Sequence, residues 1–235
     1  MLIYPLNFNN QTVGGKNLKV GESEFNVNRM LDINSCLFNK ENDLKDNPQF
    51  LFIEYKRFYK AERFLEAIEF FTQSLGKGFP RAEFEMGYHC YYGSEQLRIS
   101  KNYIKAFDYF STAAAQGHAD ALYYQGLMYL KGIGVAMDIN QALLSLNIAA
   151  NQNENKALDT IGRIYHFGCC DISPDHKKAE SYYRIAVNQD YPPSMFHLAL
   201  LFENQQRFEE AYELMIQSAS KGYMEAINYN ISTYK

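Results

Sequence analysis

ADALYYQGLMYLKGIGVAMDINQALLSLNIAANQNENKA, residues 119–157, is the stretch that decides the fold. Its first segment, ADALYYQGLMYLKG (119–132), places small and apolar residues at helical spacing. The second, DINQALLSLNIAAN (138–151), has an apolar face of its own, and Asp138 is well placed as the N-cap of that helix. Its end in Asn, or in Gly elsewhere in the chain, suits a left-handed C-terminal cap. A glycine inside a helix costs ~1 kcal/mol against alanine. Gly126 therefore needs a reason, and the close approach of a neighbouring helix supplies one. The stretch reads as a helical hairpin that cannot bury its apolar faces alone, whereas a stack of such hairpins can.

Outward from this unit the pattern repeats. Ala82, Ala121, Ala157, Ser194 and Ala226 form one column, followed five residues later by Gly87, Gly126, Gly162 and Ala199. Cys90, Tyr129, Tyr165 and Phe202 come three residues after those. A second set runs through Ala67, Ala106, Ala142, Ala179 and Ala211, and eleven residues beyond stand Gly78, Gly117, Asn153, Asp190 and Gly222. Internal repeats of this period signal a solenoid. The spacing predicts helices at 49–60 and 62–76, 81–92 and 102–116, 119–131 and 138–151, 155–167 and 175–188, 193–204 and 207–220, and 223–233. The first and last pairs have tight turns, and the middle three have longer connections. Residues 1–48 show no sustained helical period, hold ten Asn, and read as a non-repeat N-terminal arm. Asn47-Pro48 is its expected boundary, because the residue before proline avoids the helical region.

Unit 119–157 closely resembles a Sel-1-like repeat, a relative of the tetratricopeptide repeat: Ala, a residue pair ending in Gly126, Tyr129, the Gly132-Ile133-Gly134-Val135 turn, Asp138, and a second helix with Ala142 and Ala149-Ala150. Gln125 departs from the usual Leu. Unit 82–121 keeps Gly87, Ala106 and Ala113-Ala114 with an altered turn, and unit 157–194 keeps Gly162, Tyr165, Gly168 and Ala179 with Cys169-Cys170 in the turn. The outer units look more like plain tetratricopeptide hairpins. The resemblance covers roughly residues 50–226, about three quarters of the chain. It implies an all-α, right-handed solenoid of about five helix-turn-helix repeats over 49–235, at about 50–81, 82–120, 121–156, 157–193 and 194–225, with a C-terminal cap at 226–235.

It also implies a concave face lined by the first helix of each pair. On that face the candidate protein-binding residues are Phe84, Tyr88, Tyr91, Tyr92, Tyr123, Leu127, Lys131, Arg163, His166 and Phe167. Tyrosine brings large contact area with few rotors and a polar tip. The expected function is a non-enzymatic scaffold for a protein partner. One version is a bacterial immunity or antitoxin-like protein that occludes a cognate toxin; the alternative is a regulatory or adaptor protein in bacterial signalling or envelope biology.

Composition narrows the field further. With 23 basic against 27 acidic residues the net charge is −4, which argues against a nucleic-acid backbone as partner. The weak acidic excess suits a basic toxin. Four cysteines, Cys36, Cys90, Cys169 and Cys170, are too few and irregular for a disulfide framework. MLIYPLNFNN lacks the basic start and apolar run of a secretory signal, and no run reaches the ~18 apolar residues of a membrane span. The expectation is therefore a soluble, cytoplasmic protein with no cofactor, no metal and no membrane partner; the sequence leaves the oligomeric state open, with a monomer favoured. His166, Cys169, Cys170, Asp171 and His176 include metal-ligand types but lack the Cys-x-x-Cys spacing of a zinc site. Nothing basic flanks the cysteine pair to lower a thiol pKa. Gly132-Ile133-Gly134 follows a helix rather than a strand, so it reads as a repeat turn and not a nucleotide loop. No catalytic motif is present in the sequence.

Overall fold

The computed structural model describes residues 46–233. Among them run eleven helices and no β-sheet: α1 (Pro48–Lys60), α2 (Phe64–Gly76), α3 (Pro80–Tyr92), α4 (Tyr103–Ala115), α5 (Ala119–Lys131), α6 (Ile139–Asn151), α7 (Asn155–Phe167), α8 (His176–Val187), α9 (Pro192–Asn204), α10 (Phe208–Ser220) and α11 (Met224–Thr233). Every boundary falls within two residues of the expected one. The arm expected over 1–48 lies, up to residue 45, outside the described residues, as do the final two residues of the cap. Consecutive helices pair as α1/α2, α3/α4, α5/α6, α7/α8 and α9/α10, and α11 closes the stack on α10.

The alanine columns are the contact lines of these pairs. Ala82, Ala121, Ala157 and Ala226, and likewise Ala67, Ala106, Ala142, Ala179 and Ala211, are completely buried. In the three middle pairs a large side chain of the second helix enters the gap that a glycine leaves on the first. A Cβ on Gly87 would stand 2.7 Å from the Phe110 ring, and one on Gly126 would stand 2.7 Å from Leu146 Cγ. The glycines thus admit a bulky neighbour's side chain between the helices, a sharper reason than close approach of the backbones alone. In α1 and α2 the column changes character: Tyr55 takes the glycine's place and stacks on Phe71, with centroids 4.3 Å apart.

The ends of the second helices behave as the Asn/Gly column implies. Gly78, Gly117, Asn153, Asp190 and Gly222 all have positive φ, between 60° and 83°. This left-handed residue reverses the chain into the next hairpin. The long turns of the three middle pairs are anchored at both ends. Asn102, Asp138 and Asp175 cap α4, α6 and α8 with their side chains. Their own amides donate to the carbonyls of Cys90, Tyr129 and Tyr165 at 2.7, 3.1 and 2.7 Å. In the outer pairs a serine does related work across the hairpin. Ser74 and Ser218 hydroxyls donate to the carbonyls of Pro48 and Pro192, the first residues of the facing helices, at 2.8 and 2.7 Å.

Candidate functional site

The first helices α3, α5 and α7 carry the ten residues expected to bind a partner, and the structure sorts them into a groove, an aromatic patch and one withdrawn residue. The groove runs between α5 and α7. Its volume is about 330 Å³, and Tyr123, Leu127, Leu130, Lys131, Arg163 and Phe167 line it, with Thr160, Ile164, Gly168 and Cys169. Five of the ten expected residues meet there. Ala121 and Ala157, near the starts of the two helices, are completely buried, and a Lys156 Nζ to Asp120 Oδ1 bond of 2.9 Å ties the starts of α5 and α7 together.

The groove has an apolar floor and a cationic rim. Leu127, Leu130 and Ile164 supply aliphatic surface, and Phe167 is 60% exposed at one end. Lys131 and Arg163 are exposed. No carboxylate lines the groove, and among the described residues neither cation has an ion-pair partner. Unpaired cations beside exposed apolar surface favour a ligand that brings both carboxylate and hydrocarbon.

The aromatic patch belongs to α3 and α5. Tyr124 is its hub: its ring stacks on Phe110 at 4.9 Å and meets Tyr88 and Tyr91 edge-on at 6.0 and 5.9 Å. Its hydroxyl lies 3.4 Å from that of Tyr92. Burial and these neighbouring phenols push the Tyr124 pKa up. Phe84 is half-buried, stacked on His118 at 4.8 Å. Tyr91 is also half-buried, against Tyr103 at 5.2 Å. Tyr88 and Tyr92 are the exposed members, at 39% and 51%. Sequence reasoning missed Tyr124, because its neighbour Tyr123 occupies the position that the repeat pattern assigns to the face.

His166 departs from expectation. It is only 3% exposed and Phe167 stacks on it at 4.1 Å. Its ring nitrogens face the Tyr183 hydroxyl at 3.5 Å and the Asn204 amide at 3.4 Å. The imidazole therefore joins α7 to α8 and α9 and offers a partner no free nitrogen. Burial, with His176 and His197 nearby, pushes its pKa down to about 4.

A further polar cluster was not legible in the sequence. Asp159 Oδ1 accepts from the Ser194 hydroxyl at 2.7 Å and lies 2.8 Å from His197 Nδ1. The residue types are those of a hydrolytic triad, but the order is wrong. The serine donates to the carboxylate and not to the imidazole, so no base activates it. Ser194 is completely buried. The cluster is a tether between α7 and α9. Among the described residues no three His, Cys, Asp or Glu side chains come together as a group that could hold a metal ion.

Comparison with known proteins places this geometry in a family. The Sel1 repeat profile matches residues 80–118, 119–154, 161–191 and 192–223. Chitin synthase regulatory factor 2 of Schizosaccharomyces pombe is 25% identical over 154 residues, 63% of this chain and 30% of that protein. The chain spans less than a third of the length of the curated relatives it matches. Among solved structures, a Sel1 repeat protein from Oxalobacter formigenes superposes with a TM-score of 0.73 at 25% identity, covering 82% of this chain and 78% of that one. An immunity protein from Pseudomonas aeruginosa shares the fold, with a TM-score of 0.51 at 18% identity over 74% and 68% of the two chains. Among the described residues no helix is long and apolar enough to cross a membrane.

Proposed function

The chain belongs to the Sel1 repeat family, and from that premise we propose that it is a non-enzymatic scaffold holding a segment of a protein partner in the α5/α7 groove, with Tyr88 and Tyr92 extending the contact. The observation that carries this reading is the pairing of exposed apolar surface with two cations that no carboxylate of the described chain neutralises. The segment that fits carries acidic side chains beside apolar ones. Tyr88, Tyr92 and Phe167 are the anchors, and truncating such an anchor typically costs on the order of 2 kcal/mol of binding. The groove is built on helices fixed by the stack, so little ordering opposes binding.

The role served by that grip is regulatory. Similarity to a chitin synthase regulatory factor supports an adaptor that binds and modulates a larger protein. The immunity role has support from fold likeness alone. The argument from net charge toward a basic toxin is weakened by the groove, whose own charge is positive.

Site-specific photo-crosslinking in the source cell tests the reading. A photoreactive amino acid replacing Leu127 should capture one protein. The same label replacing Leu144, which is 55% exposed on α6, should not. Adding Lys131→Glu and Arg163→Glu should abolish capture while helical content stays constant. Equal capture from both positions, or capture indifferent to the charge reversals, would exclude the groove. A captured protein that kills when expressed alone would shift the role to immunity.

A further inference from the structure

The turn between α7 and α8 holds a second feature. Cys169 and Ile172 exchange backbone hydrogen bonds of 3.1 and 2.9 Å, closing a tight hairpin whose two tip residues are Cys170 and Asp171. In an extended chain successive side chains point to opposite faces. Here the turn swings two successive cysteines to the same side, and their sulfurs lie 3.4 Å apart. Both are free thiols; Cys170 is exposed and Cys169 half-exposed. Cys170 has φ +53°, a left-handed conformation that Gly or Asn adopts at lower cost. A cysteine at an exposed tip gains nothing from packing and is a poor conformational choice, so its use there points to the thiol.

The separation selects a ligand. A disulfide needs its sulfurs at about 2.0 Å, so the pair as it stands is not a closed bridge. A tetrahedral zinc needs four donors, and among the described residues no third metal-ligating side chain joins the pair. A soft, pyramidal centre with bonds near the zinc–thiolate length of about 2.3 Å and an angle a little above a right angle spans roughly the observed gap. We propose that Cys169 and Cys170 form a dithiol site for a trivalent organoarsenical or a similarly thiophilic, pyramidal centre. Two arsenic–sulfur bonds form, the arsenic–oxygen bond of the arsenical breaks, and the two thiol protons leave with that oxygen as water. No oxidation state changes. Once one sulfur is bound, the other is held at an effective concentration on the order of millimolar or above, and the chelate resists monothiols. Cys169 also lines the α5/α7 groove, so the ligand occupies the groove's Phe167 end.

Phenylarsine oxide and the reduced full chain test this by intact mass. The expected result is one adduct per chain that survives excess 2-mercaptoethanol and is released by dithiothreitol. Cys169→Ser and Cys170→Ser should each lose the monothiol-resistant adduct, and a Cys36→Ser/Cys90→Ala variant should retain it. Circular dichroism checks that each variant is folded. A resistant adduct that persists in Cys169→Ser or Cys170→Ser, or none on the wild-type chain, would overturn the assignment.

Discussion

The ring of Tyr183 lies 2.5 Å from the point where a Cβ on Gly162 would stand. Tyr183 is fully buried, with its hydroxyl on His166, so the ring has no free path of retreat. Gly162→Ala should therefore destabilise by overpacking, about 1–3 kcal/mol, although alanine is the better helix former. Gly76 supplies the contrast: it ends α2 with nothing within 4 Å of an added Cβ. Gly76→Ala should be neutral or stabilising by a few tenths of a kcal/mol to about 1. Urea unfolding midpoints of the two variants decide it, and a neutral Gly162→Ala would break the hairpin argument.

The glycine and alanine columns made the hairpins legible in the sequence because each marks contact within one repeat, and periodicity reports which face of a helix is buried. Contacts between repeats are a different matter. Ser194, Asp159 and His197 meet only because α9 packs beside α7, and no spacing within either helix announces that meeting. His166 failed as a surface residue in part for the same reason: Asn204 from α9 of the next repeat closes over it, beside Tyr183 of its own hairpin. The groove residues were found because they occupy the exposed positions of a repeated pattern. What the pattern could not supply is the absence of a carboxylate beside Lys131 and Arg163, which depends on neighbours some 30 or more residues away in the chain.

The departure of Gln125 from the usual leucine has a local cause. Its amide donates to the Ser111 hydroxyl of α4 and accepts from the Ser145 hydroxyl of α6, both at 3.0 Å. One side chain thus links three helices. Gln125→Leu should cost about 1–2 kcal/mol, since it strands the buried Ser145 hydroxyl. Converting both serines to alanine in the same chain should restore most of that loss. A triple variant no more stable than Gln125→Leu alone would remove the bridge as the reason for this residue.

Two tyrosines one turn apart on α3 should separate binding from stability. Tyr88 is 39% exposed, whereas Tyr91 packs on Tyr103 and Tyr124. Tyr91→Ala should lower stability by roughly 1–3 kcal/mol, less than a fully buried aromatic would. Tyr88→Ala should leave thermal unfolding within a few degrees of wild type and reduce partner capture. Melting curves paired with the Leu127 crosslink read both effects, and similar melting losses for the two variants would place Tyr88 in the core.

His166 gives the fold a pH dependence whose sign can be worked out. Its folded pKa is pushed down to about 4 by burial, aided by His176 and His197; in the unfolded chain it is about 6.5. Between those values the unfolded chain binds more protons than the folded one, so stability must fall as pH falls. The full contribution is present above about 6.5 and is lost by about 4, on the order of 3 kcal/mol in all. Burial also pushes His89 and His118 down, so wild type alone cannot assign the slope. Urea unfolding of wild type and His166→Gln across pH 4–7 isolates it, because the other histidines and the carboxylates act in both proteins. The stability gap between the two should narrow steadily toward pH 4 as wild type loses the advantage of a neutral buried imidazole. A gap that stays constant across the range would mean that His166 titrates like an exposed histidine and that its enclosure by Tyr183 and Asn204 opens in solution.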